Sequence, residues 1–222
     1  MDKELKDSVL KTGTTILGIV CKDGIVMASD RQTTAGQNLV VDKNKQKAVK
    51  LNDYLVASWT GQVADAERLK KVLPAELRIK ELRSKSRPSV KEAASLAGNI
   101  TYSNIRQPSM IPSVVGTLIG GFNEDGSSEL YSIEPAGSVR KVEDYDGNFS
   151  SGMPYVLGYL ERQYKNGITV KEGIELAQEA LKSSTQRDTG SGYGIDVFSI
   201  TKNGIKKEVE QTIEPNYKND KQ

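Results

Sequence analysis

No histidine occurs anywhere in the chain. That absence removes the base of every Ser-His-Asp and Cys-His hydrolase and every histidine-ligated metal site. Nucleophilic catalysis, if present, must take its base from a lysine or an α-amino group, both of which neighbours can tune toward neutral pH. A threonine hydroxyl is a poor nucleophile, but a threonine at a chain start carries its own base, an amine with a reference pKa of about 7.7–8.0. The run Gly13-Thr14-Thr15 stands directly before an apolar segment. Taken alone it is ordinary. Asp30 also reads as a strand-ending turn residue, and Lys47 lies in a polar run, 42–47, where a solvated lysine is the default. Asp188 beside Arg187 reads equally as a helix-terminal ion pair, and Gly190 and Gly192 as turn formers.

The elements that would have to position these residues follow from periodicity. Residues 15–30 form two apolar strands around the turn Lys22-Asp23-Gly24, a hairpin beginning almost at Thr14. Further strands are expected over 38–41 and 54–59. A helix is expected over 64–85, with Pro74 kinking or restarting it. The capping boxes Ser89-Val90-Lys91-Glu92 and Thr169-Val170-Lys171-Glu172 open helices reaching about 106 and 186, and another helix follows Pro154. Strands over 114–122, 129–133 and 139–142 lie between the helix pairs, and a hairpin of 194–201 and 205–210 turns at Lys202-Asn203-Gly204. Strands, two helices, strands, two helices, strands is not the alternation of a parallel βαβ protein. It predicts an α+β fold, a four-layer αββα sandwich in which two antiparallel sheets lie between helical layers. One domain over 14–215 is expected, with a polar tail, 216–222, disordered.

Composition narrows the partners. With 31 basic and 29 acidic residues the net charge is +2, so no face is charged as nucleic acid binding requires. The longest apolar runs fall well short of the roughly 20 residues of a membrane span. Residues 1–13 are charged and lack the apolar centre of a secretory signal, and Cys21 is the single cysteine, so a cytoplasmic protein with neither metal nor cofactor is expected.

Four motifs in order give the chain a resemblance to the proteasome β-subunit family from Gly13 to about Glu210. They are Gly13-Thr14-Thr15 with Gly18, Asp23-Gly24 and Ala28-Ser29-Asp30-Arg31; Thr60-Gly61-Gln62-Val63-Ala64-Asp65; Ser151-Gly152-Met153-Pro154; and Arg187-Asp188-Thr189-Gly190-Ser191-Gly192. The resemblance implies a threonine peptidase that cleaves unfolded polypeptides. Thr14 would be its nucleophile, exposed when the Gly13–Thr14 bond is cut and residues 1–13 leave. It implies that Asp30 and Lys47 form a charge pair beneath Thr14, that Ser151, Asp188 and Ser191 hold the new amine and its water, and that the Gly61 N–H is the oxyanion donor. Thr33, Trp59 and Val63 would line the substrate pocket. The implied partners are other β subunits in a seven-membered ring, proteasome α subunits and an ATP-dependent unfoldase.

The chain departs from the family pattern in three places. One extra residue separates Asp30 from Lys47, which makes Lys45 the alternative lysine. Ser150 stands where glycine usually precedes the site serine. Trp59 replaces a smaller residue and shares a strand face with Gly61, which predicts a preference for small side chains before the cut. Two other readings accommodate the same motifs: a catalytically silent β subunit of the same particle, and another N-terminal-nucleophile hydrolase, including the simpler bacterial dodecameric peptidase.

Overall fold

The computed structural model describes residues 13–36 and 39–214. The expected leader up to residue 12 and the expected disordered tail lie outside the described residues.

The chain opens with the expected hairpin, β1 (Ile16–Cys21) and β2 (Gly24–Asp30). A small antiparallel arm follows, β3 (Thr33–Ala35) and β4 (Leu39–Asp42), and then β5 (Ala48–Lys50) and β6 (Leu55–Gly61). Helices α1 (Val63–Ser84) and α2 (Val90–Ile105) come next, then β7 (Val115–Phe122), β8 (Ser128–Ile133), β9 (Val139–Val142) and β10 (Tyr145–Asp146). Helices α3 (Met153–Gln163) and α4 (Val170–Arg187) precede the closing hairpin of β11 (Gly194–Thr201) and β12 (Gly204–Thr212). This is a mixed α/β fold with two five-stranded sheets, ordered β10-β1-β2-β11-β12 and β5-β6-β7-β8-β9, and every pairing is antiparallel.

Three apolar clusters hold these elements. Ile16, Ile25, Met27, Phe198 and Ile200 of the first sheet meet Val56, Leu118, Leu130 and Val142 of the second. Leu69, Leu73, Leu77, Ala93 and Ala97 of α1 and α2 pack on Leu55, Trp59, Ile119 and Tyr131 of the second sheet. Val156, Leu160, Ala177 and Leu181 of α3 and α4 pack on Leu17, Ile19, Val26 and Val197 of the first. Fully burying one such leucine contributes about 1.5–3 kcal/mol. Gly18 serves this packing, because a Cβ there would run into the Leu130 side chain.

Two expectations need correction. Helix α1 runs through Pro74 without restarting there. Proline removes one backbone hydrogen bond, but burial of Leu69, Leu73 and Leu77 on either side keeps the helix seated on its sheet. The strands β3, β5 and β10 were not expected: each has three residues or fewer, too short to show alternation. Both capping boxes form as read, with Ser89 and Glu92, and Thr169 and Glu172, exchanging their bonds.

Candidate active site

The ends of β1 and β2, the segment entering β5, and the loops before α3 and after α4 converge on Thr14. Its backbone nitrogen, here an amide joined to Gly13, donates to Ser151 Oγ at 2.9 Å. The Thr14 hydroxyl donates to the Gly13 carbonyl oxygen at 2.6 Å, and Lys47 Nζ donates to the same oxygen at 3.4 Å. Two donors, one the hydroxyl and one an ammonium, therefore bear on the carbonyl of the Gly13–Thr14 bond.

Beneath them Lys47 Nζ lies 2.6 Å from Asp30 Oδ1. Asp30 also accepts from the backbone N–H groups of Thr15 (2.8 Å), Gln32 (2.9 Å) and Gly192 (3.1 Å). Burial pushes the Asp30 carboxyl above and the Lys47 ammonium below their ordinary values, and each partner's charge opposes the shift of the other. Three backbone donors and an ammonium hold Asp30 as a carboxylate, and Asp30 in turn fixes Lys47. The two sheets are tied at the same spot, where Ala48 N donates to Ser29 Oγ at 3.1 Å. Lys45, the alternative lysine, bonds Glu67 at 2.7 Å instead, with 30% of its side chain exposed against 7% for Lys47. The β3–β4 arm shifts register between Thr33 and Thr34, so it absorbs an unpaired residue while Asp30 and Lys47 still meet.

Asp188 caps α4 and accepts the hydroxyls of Ser151 (2.7 Å) and Ser191 (2.5 Å) and the Gly190 N–H (3.1 Å). It is a hub for the two loops rather than an ion-pair partner of Arg187. Gly190 lies in a turn, closed by the Ser191 N–H donating to Asp188 O at 3.2 Å, and neither it nor Gly192 has positive φ. A Cβ on Gly190 would overlap Gly13, one on Gly13 would overlap the Gly190 backbone, and one on Gly192 would crowd the Gln32 side chain. Ser150 fits its buried position by donating to Gly147 O at 2.7 Å.

One cavity is lined by Gly13, Thr14, Thr33, Lys47, Trp59, Gly61 and Val63, with Lys45, Gln46, Ala66, Glu67 and Lys70 at its wall and mouth. Every residue expected in the pocket is thus beside Thr14. Gly61 has φ +105°, and a Cβ there would overlap Val114 O, so this position admits only glycine without strain.

Several contributors escaped the sequence reading. Thr34 Oγ1 accepts the Gly13 N–H at 2.8 Å, and Thr15 Oγ1 lies 2.7 Å from Ser191 Oγ. The buried Asn148 stands at φ +47°, and its amide nitrogen reaches Thr117 O (3.1 Å), Ser132 Oγ (3.0 Å) and Ile133 O (3.1 Å). It bolts the loop that carries Ser151 to β7 and β8. An asparagine two residues after an aspartate and one after a glycine was the available signal, since Asn tolerates left-handed backbone. Replacing Asn148 with alanine leaves buried acceptors without a donor and should destabilise the fold by about 1–3 kcal/mol in urea unfolding. Asn148→Gly relieves the backbone but not the lost bonds, so it should recover only part of that loss.

Comparison with known proteins agrees with this architecture. A family model for the proteasome subunit matches residues 10–200. The proteasome subunit beta of Nanoarchaeum equitans is 40% identical over 87% of this chain and 96% of its own length. Those of Methanobrevibacter smithii (41%, over 90% and 93%) and Methanothermobacter thermautotrophicus (36%, over 97% and 99%) are similarly close. The chain therefore belongs to the proteasome subunit family. Within that family its likeness is to the β-type subunits of the core particle. No helix among the described residues is long and apolar enough to cross a membrane.

Proposed function

We propose that this chain is a catalytic β subunit of the 20S proteasome core, a threonine peptidase whose precursor cuts its own Gly13–Thr14 bond. The observation that carries the reading is the convergence of Thr14 Oγ1 and Lys47 Nζ on the Gly13 carbonyl oxygen, with Asp30 and three backbone donors locking Lys47 from below. In self-cleavage Thr14 Oγ1 adds to the Gly13 carbonyl carbon and the C–N bond breaks, with the hydroxyl proton passing to the departing nitrogen. Water then hydrolyses the ester, leaving a Gly13 carboxylate and a Thr14 that carries both hydroxyl and amine.

In peptide hydrolysis that amine accepts the hydroxyl proton as Oγ1 bonds to the substrate carbonyl carbon. The proton passes to the leaving amine, and water releases the acyl half. The Lys47 ammonium lowers the amine pKa by like-charge repulsion, which keeps it unprotonated near neutral pH. Ser151, Ser191 and Asp188 hold the amine, and the Gly61 N–H stabilises the oxyanion, a contribution of roughly 2.7–4 kcal/mol in comparable sites.

The three apolar clusters support reading the fold as a four-layer sandwich with helices outside both sheets. The family likeness supports seven-membered β rings between α rings, fed by an ATP-dependent unfoldase in the cytoplasm. The full set Thr14, Asp30, Lys47, Ser151, Asp188 and Ser191 favours an active subunit over a silent one. The test is intact mass of the protein assembled with its α partners. A species beginning at Thr14 is expected, and a chain that keeps residues 1–13 in a complete particle overturns the reading.

A further inference from the structure

We propose, resting on the reading of Thr14 as nucleophile, that the cavity beside it selects substrates with an acidic side chain immediately before the cut. Its apolar wall is Trp59, Val63 and Ala66, and its mouth carries Lys45, Glu67 and Lys70. Trp59 is buried and lines the cavity, and its indole takes volume that a large apolar side chain would need. The charges at the mouth do not cancel. Lys45 Nζ and Lys70 Nζ lie 2.7 and 2.9 Å from the same oxygen, Glu67 Oε1. Lys47 also lines the cavity but is already paired with Asp30 at 2.6 Å, away from these three groups. The mouth therefore holds two ammonium groups for one carboxylate.

Lys70 is the better placed of the two. Its side chain is only 17% exposed, its ammonium also donates to Gln46 O at 2.9 Å, and it stands 5.9 Å from the centre of the Trp59 ring. Those contacts hold it at the junction of apolar wall and charged mouth. A glutamate or aspartate entering the cavity lays its methylene carbons against Trp59 and Val63 and takes the ammonium hydrogens that Glu67 leaves unused. Glu67 itself cannot recruit a basic residue, because its carboxylate is shared by two lysines and held below the ordinary carboxylate range chiefly by the Lys45 bond. An incoming arginine or lysine meets like charge.

The experiment uses assembled particles and fluorogenic peptides identical except for glutamate, aspartate, alanine, leucine or arginine before the cut. Wild type should show its highest kcat/KM on an acidic peptide, with that preference shrinking as salt rises. Lys70→Gln and Lys45→Gln should each lower the glutamate-to-alanine ratio by about tenfold, the loss of one hydrogen bond to a charged group. Using a ratio cancels any loss of folded particles. Glu67→Gln should raise it. Higher wild-type activity after leucine or arginine, or an unchanged ratio in both lysine variants, overturns the acidic pocket while leaving Thr14 in place. Failure to cleave any peptide, with the Gly13–Thr14 bond intact, overturns the Thr14 reading and the pocket with it.

Discussion

Replacing Thr14 with alanine should leave residues 1–13 attached and reduce peptide hydrolysis by on the order of a million-fold, the scale seen when a serine peptidase loses its nucleophile. The two effects share one cause. On the proposed reading, the hydroxyl that bonds the Gly13 carbonyl oxygen at 2.6 Å serves both self-cleavage and turnover. Thr14→Ser keeps a hydroxyl in the same place and should still be processed. Mass spectrometry of particles built from a single β variant reads the first effect, and a fluorogenic peptide reads the second. Efficient removal of the leader from the alanine variant, with no active neighbour in the ring, would show that another group cuts the bond.

Lys47→Ala should slow self-cleavage by orders of magnitude, whereas Lys45→Ala should slow it far less. Lys47 donates to the Gly13 carbonyl and neutralises a buried Asp30, and an uncompensated buried charge costs about 3–5 kcal/mol. Lys45 reaches only a half-exposed glutamate, a pair worth about 0–1 kcal/mol. Unfolding in denaturant separates the two contributions to the Lys47 result, since Lys47→Arg keeps the charge and should recover stability more fully than rate. The sign of the pH dependence follows from burial, which lowers the Lys47 pKa. The ammonium is present below that value and lost as pH rises through it, so self-cleavage should fail at a lower pH than an ordinary lysine, near 10.4, would allow. Because a guanidinium does not titrate in this range, the alkaline fall should move upward in Lys47→Arg. A profile unaltered by that change would remove Lys47 from the reaction.

The long elements were legible in the sequence because their signals are local. Two capping boxes, the hairpin turns at Lys22-Asp23-Gly24 and Lys202-Asn203-Gly204, and the apolar runs of 114–122 and 194–201 each lie within a dozen residues. The site was legible only in part. Lys45 and Lys47 stand two apart in one polar run between β4 and β5, where no strand or helix period applies, so no pattern could choose between them. What separates them is which one reaches Asp30, a contact made by the fold. Asn148, Thr34 and Lys70 went unnoticed for the same reason: their partners Ile133, Gly13 and Gln46 lie 15 to 24 positions away. Trp59 alone suggested small side chains, while on the proposed reading Lys70, 5.9 Å from its ring centre, adds a charge preference.

The mutual overlap that a Cβ on either Gly13 or Gly190 would create bears on the order of events in maturation. On the proposed reading, the last residue of the leader rests flat on the loop that must later cradle the new amine, so that loop is moulded around the uncut chain. The precursor then acts as its own casting form: the chamber is shaped while still plugged, and the act that empties it also finishes it. A bulkier residue at position 13 would push the 188–192 loop outward before the cut. Its penalty would fall on the rate of maturation and spare the mature particle, in which that residue has gone.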